Sequence, residues 1–169
     1  MGSPESLEAW LSRLVAVPTE RIELGLARVD AVYGRLGRPR PAPIVLTVGG
    51  TNGKGSTVAF LVAMLRAAGY RVGSYTSPHL FRFNERIVID GVEASDDAIS
   101  DAFGAIDAAR GDIALTFFEF ATLAAMRLFA NAALDIAIFE VGLGGRLDAV
   151  NLLDADVAIV TTIDLDHQQ

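Results

Sequence analysis

A glycine-rich stretch at residues 46–57, LTVGGTNGKGST, decides how the rest of the sequence is interpreted. An apolar run that begins at Ile44 leads into it, and apolar residues at helical spacing follow it from Val58 onward. Glycines let backbone N–H groups turn inward around an anion, and the N-terminal end of a following helix attracts negative charge. The stretch therefore predicts a phosphate-binding loop, in which Lys54 can reach the terminal phosphates of a nucleotide.

The loop is a variant of the common pattern. That pattern has a glycine five positions before the Gly-Lys pair and a Ser or Thr directly after the lysine, whereas Val48 and Gly55 occupy these places here. An ordinary glycine-rich turn is the alternative, which four glycines, a lysine and two hydroxyls disfavour. We expect Ser56 or Thr57 to supply a hydroxyl to a magnesium ion. The residues predicted to bind a nucleoside triphosphate are Gly50, Thr51, Asn52, Gly53, Lys54, Gly55, Ser56 and Thr57.

Apolar patterning along the rest of the chain predicts an α/β fold. Ser95 can cap one helix, and residues 117–129 form a second helical pattern that is apolar nearly all round. Apolar runs at residues 134–141 and 157–163 are typical of strands covered on both faces of a parallel sheet. Residues 82–91 alternate weakly, as in a loop that leads into a short edge strand. Alternating strands and helices favour a doubly wound, mainly parallel sheet.

Two amphipathic helices are predicted before this sheet. Gly37, Pro39 and Pro41 end the second helix, because proline cannot continue a helix and disfavours helical geometry in the preceding residue. We therefore expect an N-terminal helical segment at residues 1–40 and a phosphate-loop α/β domain at residues 41–169. The apolar positions at helical spacing are Leu7, Trp10, Leu11 and Leu14 in the first helix, and Ile22, Leu26, Val29, Tyr33 and Leu36 in the second.

The composition excludes several classes of protein. The chain has 169 residues, of which 51% are hydrophobic and 21% are charged, so it is long and apolar enough to bury a core. Fourteen Lys and Arg against 21 Asp and Glu give a net charge of −7, which disfavours nucleic acid and anionic membranes as partners. The sequence has no cysteine, which suits a reducing compartment, and we expect the cytoplasm. Its apolar runs are too short to predict a membrane span.

Glu140 ends a predicted strand. It follows an apolar run and precedes the glycine-rich residues 142–145. Burial of a charge is costly unless the charge is paired or binds a metal, and ligands bind at the carboxyl ends of strands in such sheets. Glu140 is therefore a candidate to hold magnesium opposite the hydroxyl of the loop. The alternative is a strand-end glutamate that reaches solvent or pairs with Arg146.

Two further polar segments follow predicted strands. Asp164, Asp166 and His167 follow the last strand, and Ser77 follows the predicted strand at residues 71–75. A lone histidine is more often a surface residue than a metal ligand, and a Ser-Pro-His-Leu sequence is also compatible with a plain turn. Their place at the same edge as Glu140 makes His167 a candidate ligand, with the aspartates as further oxygen ligands or as partners of the imidazole.

Three phenylalanines, Phe117, Phe118 and Phe120, enter the helical pattern beside Thr116 and Glu119. Such a cluster can stack on a planar ring, but it is more often part of a core. The residues alone therefore favour a core role.

Taken together, these segments resemble the bifunctional dihydrofolate synthase and folylpolyglutamate synthase family, within the Mur ligase superfamily of ATP-dependent amide ligases. The Ser-Pro-His-Leu and Glu-Val-Gly-Leu-Gly-Gly-Arg-Leu-Asp segments are specific to the folate branch. The resemblance implies the fold of a Mur ligase central domain. It is carried by residues 22–26 (IELGL), 50–56 (GTNGKGS), 76–80 (TSPHL), 84–87 (NERI), 116–119 (TFFE), 140–149 (EVGLGGRLDA) and 164–167 (DLDH).

The resemblance implies a reaction and roles for these residues. A substrate carboxylate attacks the γ-phosphate of ATP, and the amine of L-glutamate displaces phosphate from the acyl phosphate; dihydropteroate or a folate supplies the carboxylate. The implied catalytic residues are Lys54, Glu140 and His167. Magnesium would be surrounded by Ser56, Ser77, Glu140 and His167, and the pterin would lie against Thr116, Phe117, Phe118, Glu119, Leu147, Asp148 and Ala149.

The sequence departs from the family in one respect. Chains of this family are much longer and carry a separate C-terminal α/β domain that helps to bind ATP and glutamate. We therefore expect a fragment of a monomeric parent enzyme, with little or no ligase activity alone. A nucleotide-binding module is the first alternative. A small phosphate-loop kinase or NTPase is the second, although Gly55 follows the lysine and no guanine-reading Asn-Lys-x-Asp sequence is present.

Overall fold

A mainly parallel β-sheet forms the centre of the chain. The computed structural model describes residues 5–16, 25–142 and 145–164, and within them six strands form one sheet in the order β4-β3-β2-β5-β1-β6. Strands β2, β5, β1 and β6 are parallel, whereas β3 and β4 form an antiparallel edge. The fold class predicted from the sequence is confirmed. The strands are β1 (Ile44–Gly49), β2 (Val72–Tyr75), β3 (Ile87–Ile89), β4 (Val92–Glu93), β5 (Ile136–Glu140) and β6 (Val157–Val160).

Helices cover both faces of the sheet. The α-helices are α1 (Leu7–Val15), α2 (Ala27–Arg35), α3 (Lys54–Ala67), α4 (Asp96–Arg110) and α5 (Phe117–Ala130). Helix α3 packs through Val58 on the face that carries Leu46 and Val48. The other helices share a larger core with the opposite face, which carries Val45 and Tyr75. This division follows from the alternation of side chains along a strand, because neighbouring residues of β1 point to opposite faces.

The helix starts are specified locally. The Ser95 hydroxyl accepts a hydrogen bond from the N–H of Ala98, which caps α4 as expected. At the start of α5, the Thr116 hydroxyl accepts from the N–H of Glu119, and the Glu119 carboxylate accepts from the N–H of Thr116. This reciprocal capping box satisfies two backbone donors that a helix otherwise leaves unpaired.

Some predicted boundaries are too generous. Strand β5 covers Ile136–Glu140 rather than residues 134–141, and β6 covers Val157–Val160 rather than residues 157–163. Apolar runs do not stop where strand pairing stops, so periodicity alone overestimates strand length. The weakly alternating residues 82–91 form a 3-10 turn at Phe83–Arg86, followed by β3.

The N-terminal helices belong to the main core. The Trp10 ring of α1 lies 5.9 Å from the Phe103 ring and 6.4 Å from the Phe120 ring, measured between centroids. In α2, Val29 and Val32 are fully buried. The part of the second predicted helix around Ile22 lies outside the described residues. The division of the chain into domains at residue 40 stays a prediction.

Among the described residues, no helix combines the length and the apolar character needed to cross a membrane.

We predict that Trp10→Ala lowers the free energy of unfolding by about 3–5 kcal/mol, because it leaves a cavity between α1, α4 and α5. Phe60→Ala is the matched control, since the Phe60 side chain on α3 is 70% exposed, and it should change stability by less than about 0.5 kcal/mol. Urea unfolding followed by circular dichroism measures both changes. Equal effects of the two substitutions would contradict the placement of α1 in the core.

Candidate functional site

The carboxyl ends of three parallel strands meet at one edge of the sheet. The residues that follow β1 form the glycine-rich loop, β5 ends at Glu140, and Ser77 lies just after β2. Glu140 is paired in register with Val48 of β1. The predicted convergence is therefore observed: an ideal Cβ placed on Gly55 would lie 3.9 Å from both carboxylate oxygens of Glu140.

The glycine-rich loop has a fixed backbone. Gly53 caps α3 with φ of +80°, in the left-handed region that favours glycine. The loop is also anchored to the segment that follows β6: the N–H of Thr51 donates to the Thr162 carbonyl at 2.7 Å, and the Thr161 hydroxyl donates to the Asn52 carbonyl at 2.6 Å. A Cβ on Gly50 would collide with the Thr161 hydroxyl. The loop is thus shaped by its own glycines and by the segment after β6.

Lys54 lies at the start of α3 and turns back over this loop. Its ammonium group donates to the Gly50 carbonyl at 2.7 Å and to the Thr51 carbonyl at 3.3 Å. The cation is therefore held where loop amides and the positive end of α3 already favour an anion. The Thr57 hydroxyl donates to the Gly53 carbonyl at 2.9 Å. Of the two predicted hydroxyl ligands, the structure thus favours Ser56.

Glu140 is a buried carboxylate, with 4% of the residue exposed. Burial raises the pKa of its carboxyl group above the ordinary value, and the Ser77 N–H together with the charges of Lys54 and Arg86 opposes this rise. The N–H of Ser77 donates to one carboxylate oxygen at 3.1 Å. Within the described part of the chain, Glu140 forms no ion pair with Arg146. The simple alternative of a Glu140–Arg146 pair is therefore not supported.

The donor set at this edge suits a hard cation. The described residues contain no group of three or more His, Cys, Asp or Glu side chains that could hold a metal ion. Magnesium is nevertheless bound in proteins by one or two carboxylates together with phosphate oxygens and water. One buried carboxylate between two serines, beside a phosphate-binding loop, fits that mode.

The segment that leads to the predicted histidine runs beside the loop. The Thr51 hydroxyl donates to the Asp164 carbonyl at 3.2 Å, and the N–H of Asp164 donates to the same hydroxyl at 3.1 Å. Asp166 and His167 lie outside the described residues. The metal and catalytic roles of His167 stay predictions.

The residues of the predicted pterin wall have unequal environments. Phe120 lies in the core and is 2% exposed, as the residues alone suggested, whereas the half-buried Phe118 packs beside Tyr75, with 6.0 Å between ring centroids. Phe117 packs edge-to-face on Phe83. Phe118 also lies close to Gly142, where an ideal Cβ would approach the ring to 2.6 Å. Phe118 therefore reaches the glycine-rich strand end next to Glu140.

Both carboxylates of the predicted wall bind groups of the protein. Glu119 is buried and forms an ion pair with Arg28 of α2 at 3.2 Å, in addition to its capping bond. The carboxylate of buried Asp148 accepts from the N–H of Gly142 and from the N–H of Val150, both at 2.9 Å. Ala149 is also buried, whereas Leu147 is 46% exposed. Glu119 and Asp148 thus shape the wall through their bonds to the protein.

A cavity of about 1150 Å³ opens at this edge of the sheet. Its lining includes Gly50, Lys54, Ser77, Gly142 and Arg146. The residues of the predicted pterin wall lie behind Gly142 and do not line it. The sequence analysis missed the ion pair of Arg28 with Glu119, because the partners lie on distant helices and no sequence pattern joins them.

Comparison with known proteins identifies the family. The chain is 55% identical to the dihydrofolate synthase/folylpolyglutamate synthase of Escherichia coli (strain K12) over 161 residues, which cover 95% of this chain and 38% of the relative. The enzyme of the same name from Mycobacterium tuberculosis is 37% identical over 163 residues, covering 89% of this chain and 34% of the relative. The chain belongs to the dihydrofolate synthase/folylpolyglutamate synthase family. It spans about two fifths of the length of these relatives. No protein-family model matches it.

Solved structures of the family have the same fold. Escherichia coli FolC in complex with DHPP and ADP superposes with a TM-score of 0.92 at 55% identity, covering 96% of this chain and 39% of that one. The bifunctional folylpolyglutamate synthase/dihydrofolate synthase of Yersinia pestis, complexed with AMPPNP and Mn ion, gives a TM-score of 0.94 at 55% identity, covering 98% and 40%. The resemblance inferred from the motifs is confirmed.

We predict that Glu140→Gln stabilises the metal-free chain at neutral pH. Because burial raises the pKa of Glu140, the folded chain binds this proton more tightly than the unfolded chain, so the wild type loses stability as pH rises through that pKa. The advantage of the variant should shrink when the pH falls below the ordinary range of a glutamate. Urea unfolding with EDTA at pH 4 and pH 7 measures it. The exposed Glu93→Gln serves as control, and a difference that does not change with pH would contradict the prediction.

Proposed function

We propose that this chain carries the nucleotide and metal site of an ATP-dependent amide ligase that joins L-glutamate to the carboxylate of dihydropteroate or a folate. The observation that carries the proposal is the convergence of the Lys54 loop and the buried Glu140 carboxylate at one edge of the sheet. The family of the chain and the nucleotide named in the solved structures of its relatives support the same function.

The loop and Lys54 act on the phosphates of ATP. The amides at the start of α3 bind phosphate oxygens, and the Lys54 ammonium exchanges its bonds to the Gly50 and Thr51 carbonyls for bonds to the terminal phosphates. Lys54 thereby neutralises charge on the transferring phosphoryl group and holds it in position for attack by the substrate carboxylate. The reaction needs no nucleophile from the protein.

Magnesium would be held by Glu140, Ser56 and Ser77, with His167 as a further ligand. When bound, it supplies positive charge to the phosphate oxygens that lose electron density to the leaving group. Burial of Glu140 limits the access of water to this carboxylate, and the Ser77 N–H fixes the direction of one of its oxygens. Lys54, Glu140 and His167 are the proposed catalytic residues.

The pterin of the substrate would lie against the wall behind Gly142. Phe118 offers an aromatic face, and the bonds of Glu119 to Arg28 and of Asp148 to Gly142 keep the wall in place. Escherichia coli FolC, which has been solved with DHPP, supports a pterin site in this part of the family. The proposed wall consists of Thr116, Phe117, Phe118, Glu119, Leu147, Asp148 and Ala149.

The setting of the enzyme is also proposed. We propose a monomeric enzyme of the cytoplasm that acts on small molecules and has no nucleic-acid or membrane partner. The net charge of −7 supports the exclusion of polyanionic partners, and the absence of cysteine supports a reducing compartment.

We predict that Lys54→Gln weakens the binding of Mg·AMPPNP by about tenfold or more, because charge-assisted hydrogen bonds to phosphate are lost. Arg66→Gln removes one positive charge from the exposed C-terminal end of the same helix, and it should leave the affinity within about twofold of the wild type. Isothermal titration calorimetry measures both. A wild-type chain that does not bind the nucleotide, or equal losses in the two variants, would contradict the proposed site.

We predict that Phe118→Ala weakens the binding of dihydropteroate several-fold, because the stacking face for the pterin is lost. The affinity for Mg·AMPPNP should stay unchanged, which separates a loss of substrate contact from a general loss of structure. Fluorescence titration with dihydropteroate measures the change, and Phe60→Ala at an exposed position of α3 is the control. Unchanged dihydropteroate affinity in the Phe118 variant would remove this residue from the wall.

A further inference from the structure

The turn at residues 76–82, which contains Ser77 and is named here the Ser77 turn, is fastened by the adjacent 3-10 turn at Phe83–Arg86. At its start, the N–H of Thr76 donates to the Arg86 carbonyl at 3.0 Å. In its middle, Arg86 Nε donates to His79 Nδ1 at 2.8 Å. The Arg86 side chain is buried against Phe117, with 5.4 Å from the guanidinium carbon to the ring centroid. The first half of the turn is therefore tied to the protein interior.

Glu85 fastens the second half of the turn. One of its carboxylate oxygens accepts from the N–H of Leu80 at 2.7 Å, and the other accepts from the N–H groups of Phe81 at 2.9 Å and Arg82 at 2.8 Å. Bonds from backbone amides to an ionised carboxylate are short and about twice as strong as neutral ones. These amide bonds also hold the pKa of Glu85 below its ordinary value, so the carboxylate is ionised at neutral pH.

Packing does not explain the order of this segment. The Leu80 residue is 83% exposed and Phe81 is 90% exposed, so neither side chain anchors the turn in the core. A loop with exposed side chains and unbonded amides ordinarily opens at little cost in free energy. The three bonds to Glu85 are thus the main restraint on residues 80–82.

The position of the turn decides how Glu140 is oriented, because the N–H of Ser77 donates to a Glu140 oxygen at 3.1 Å. We infer that Glu85 is a positioning residue: by binding the amides of residues 80–82 it fixes the Ser77 turn, and through Ser77 it orients the Glu140 carboxylate toward a divalent cation. Glu85 itself does not touch the cation. The inference rests on the proposed function, since it assigns an outer support to the proposed metal site.

Glu85→Gln tests this role, because it keeps the size of the side chain but replaces an acceptor oxygen by an NH₂ group that faces backbone donors. We expect the affinity for Mn²⁺, measured by electron paramagnetic resonance in the presence of AMPPNP, to fall about tenfold, as is usual for outer supports of metal ligands. The affinity for AMPPNP in EDTA should not change, because the loop and Lys54 bind the phosphates. Glu93→Gln, which removes an equal charge from exposed β4, should leave both affinities unchanged.

Amide hydrogen exchange decides the role of Glu85 independently of metal binding. In the wild type, the amides of Leu80, Phe81 and Arg82 should exchange slowly although the first two side chains are exposed. In Glu85→Gln they should exchange faster, and the Ser77 amide should lose protection with them.

Three results would overturn the inference: fast exchange of these amides in the wild type, retained protection of Ser77 in the Glu85 variant, or Mn²⁺ affinity within about twofold of the wild type. A wild-type chain that protects these amides but binds neither AMPPNP nor Mn²⁺ would contradict the proposed function instead. In that case the exchange of Ser77 still decides whether Glu85 positions the turn.

Discussion

The buried carboxylate of Glu140 is the constraint on which the arrangement of the site depends. Burial of a carboxylate costs free energy unless nearby groups compensate, and here the Ser77 N–H and the charge of Lys54 do so in part. Their contributions come from strands β2 and β1, which flank β5 in the sheet. The parallel pairing of these three strands thus creates the polar edge, and the remaining raised pKa of Glu140 is the cost that the fold retains for a cation site.

The glycine-rich loop is organised before any ligand binds. Gly53 takes the left-handed conformation that ends the loop, and Thr161 and Thr162 hold the loop from the segment after β6. The Lys54 ammonium lies over the loop carbonyls, close to where phosphates would bind. Preorganisation of this kind lowers the entropic cost of binding, since the loop does not have to be ordered by the nucleotide.

The helical face of the sheet supports the site from the other side. Trp10 of α1 packs on Phe103 and Phe120, and Arg28 of α2 pairs with Glu119 at the start of α5. These contacts position α5, whose first turn carries Phe118 next to Gly142. The N-terminal helices therefore contribute to the wall through packing and one ion pair.

The sequence by itself determined the fold class, the loop and the residues at the sheet edge. Glycines before Lys54, and a glutamate after an apolar run, have few physical explanations apart from a phosphate site and a paired carboxylate, so local chemistry was sufficient. Only the tertiary structure decided that Glu85 holds the Ser77 turn and that Arg28 pairs with Glu119, because such bonds depend on distance in space rather than on periodicity. Strand ends also required the structure, since pairing with neighbouring strands, and not apolarity, fixes where a strand stops.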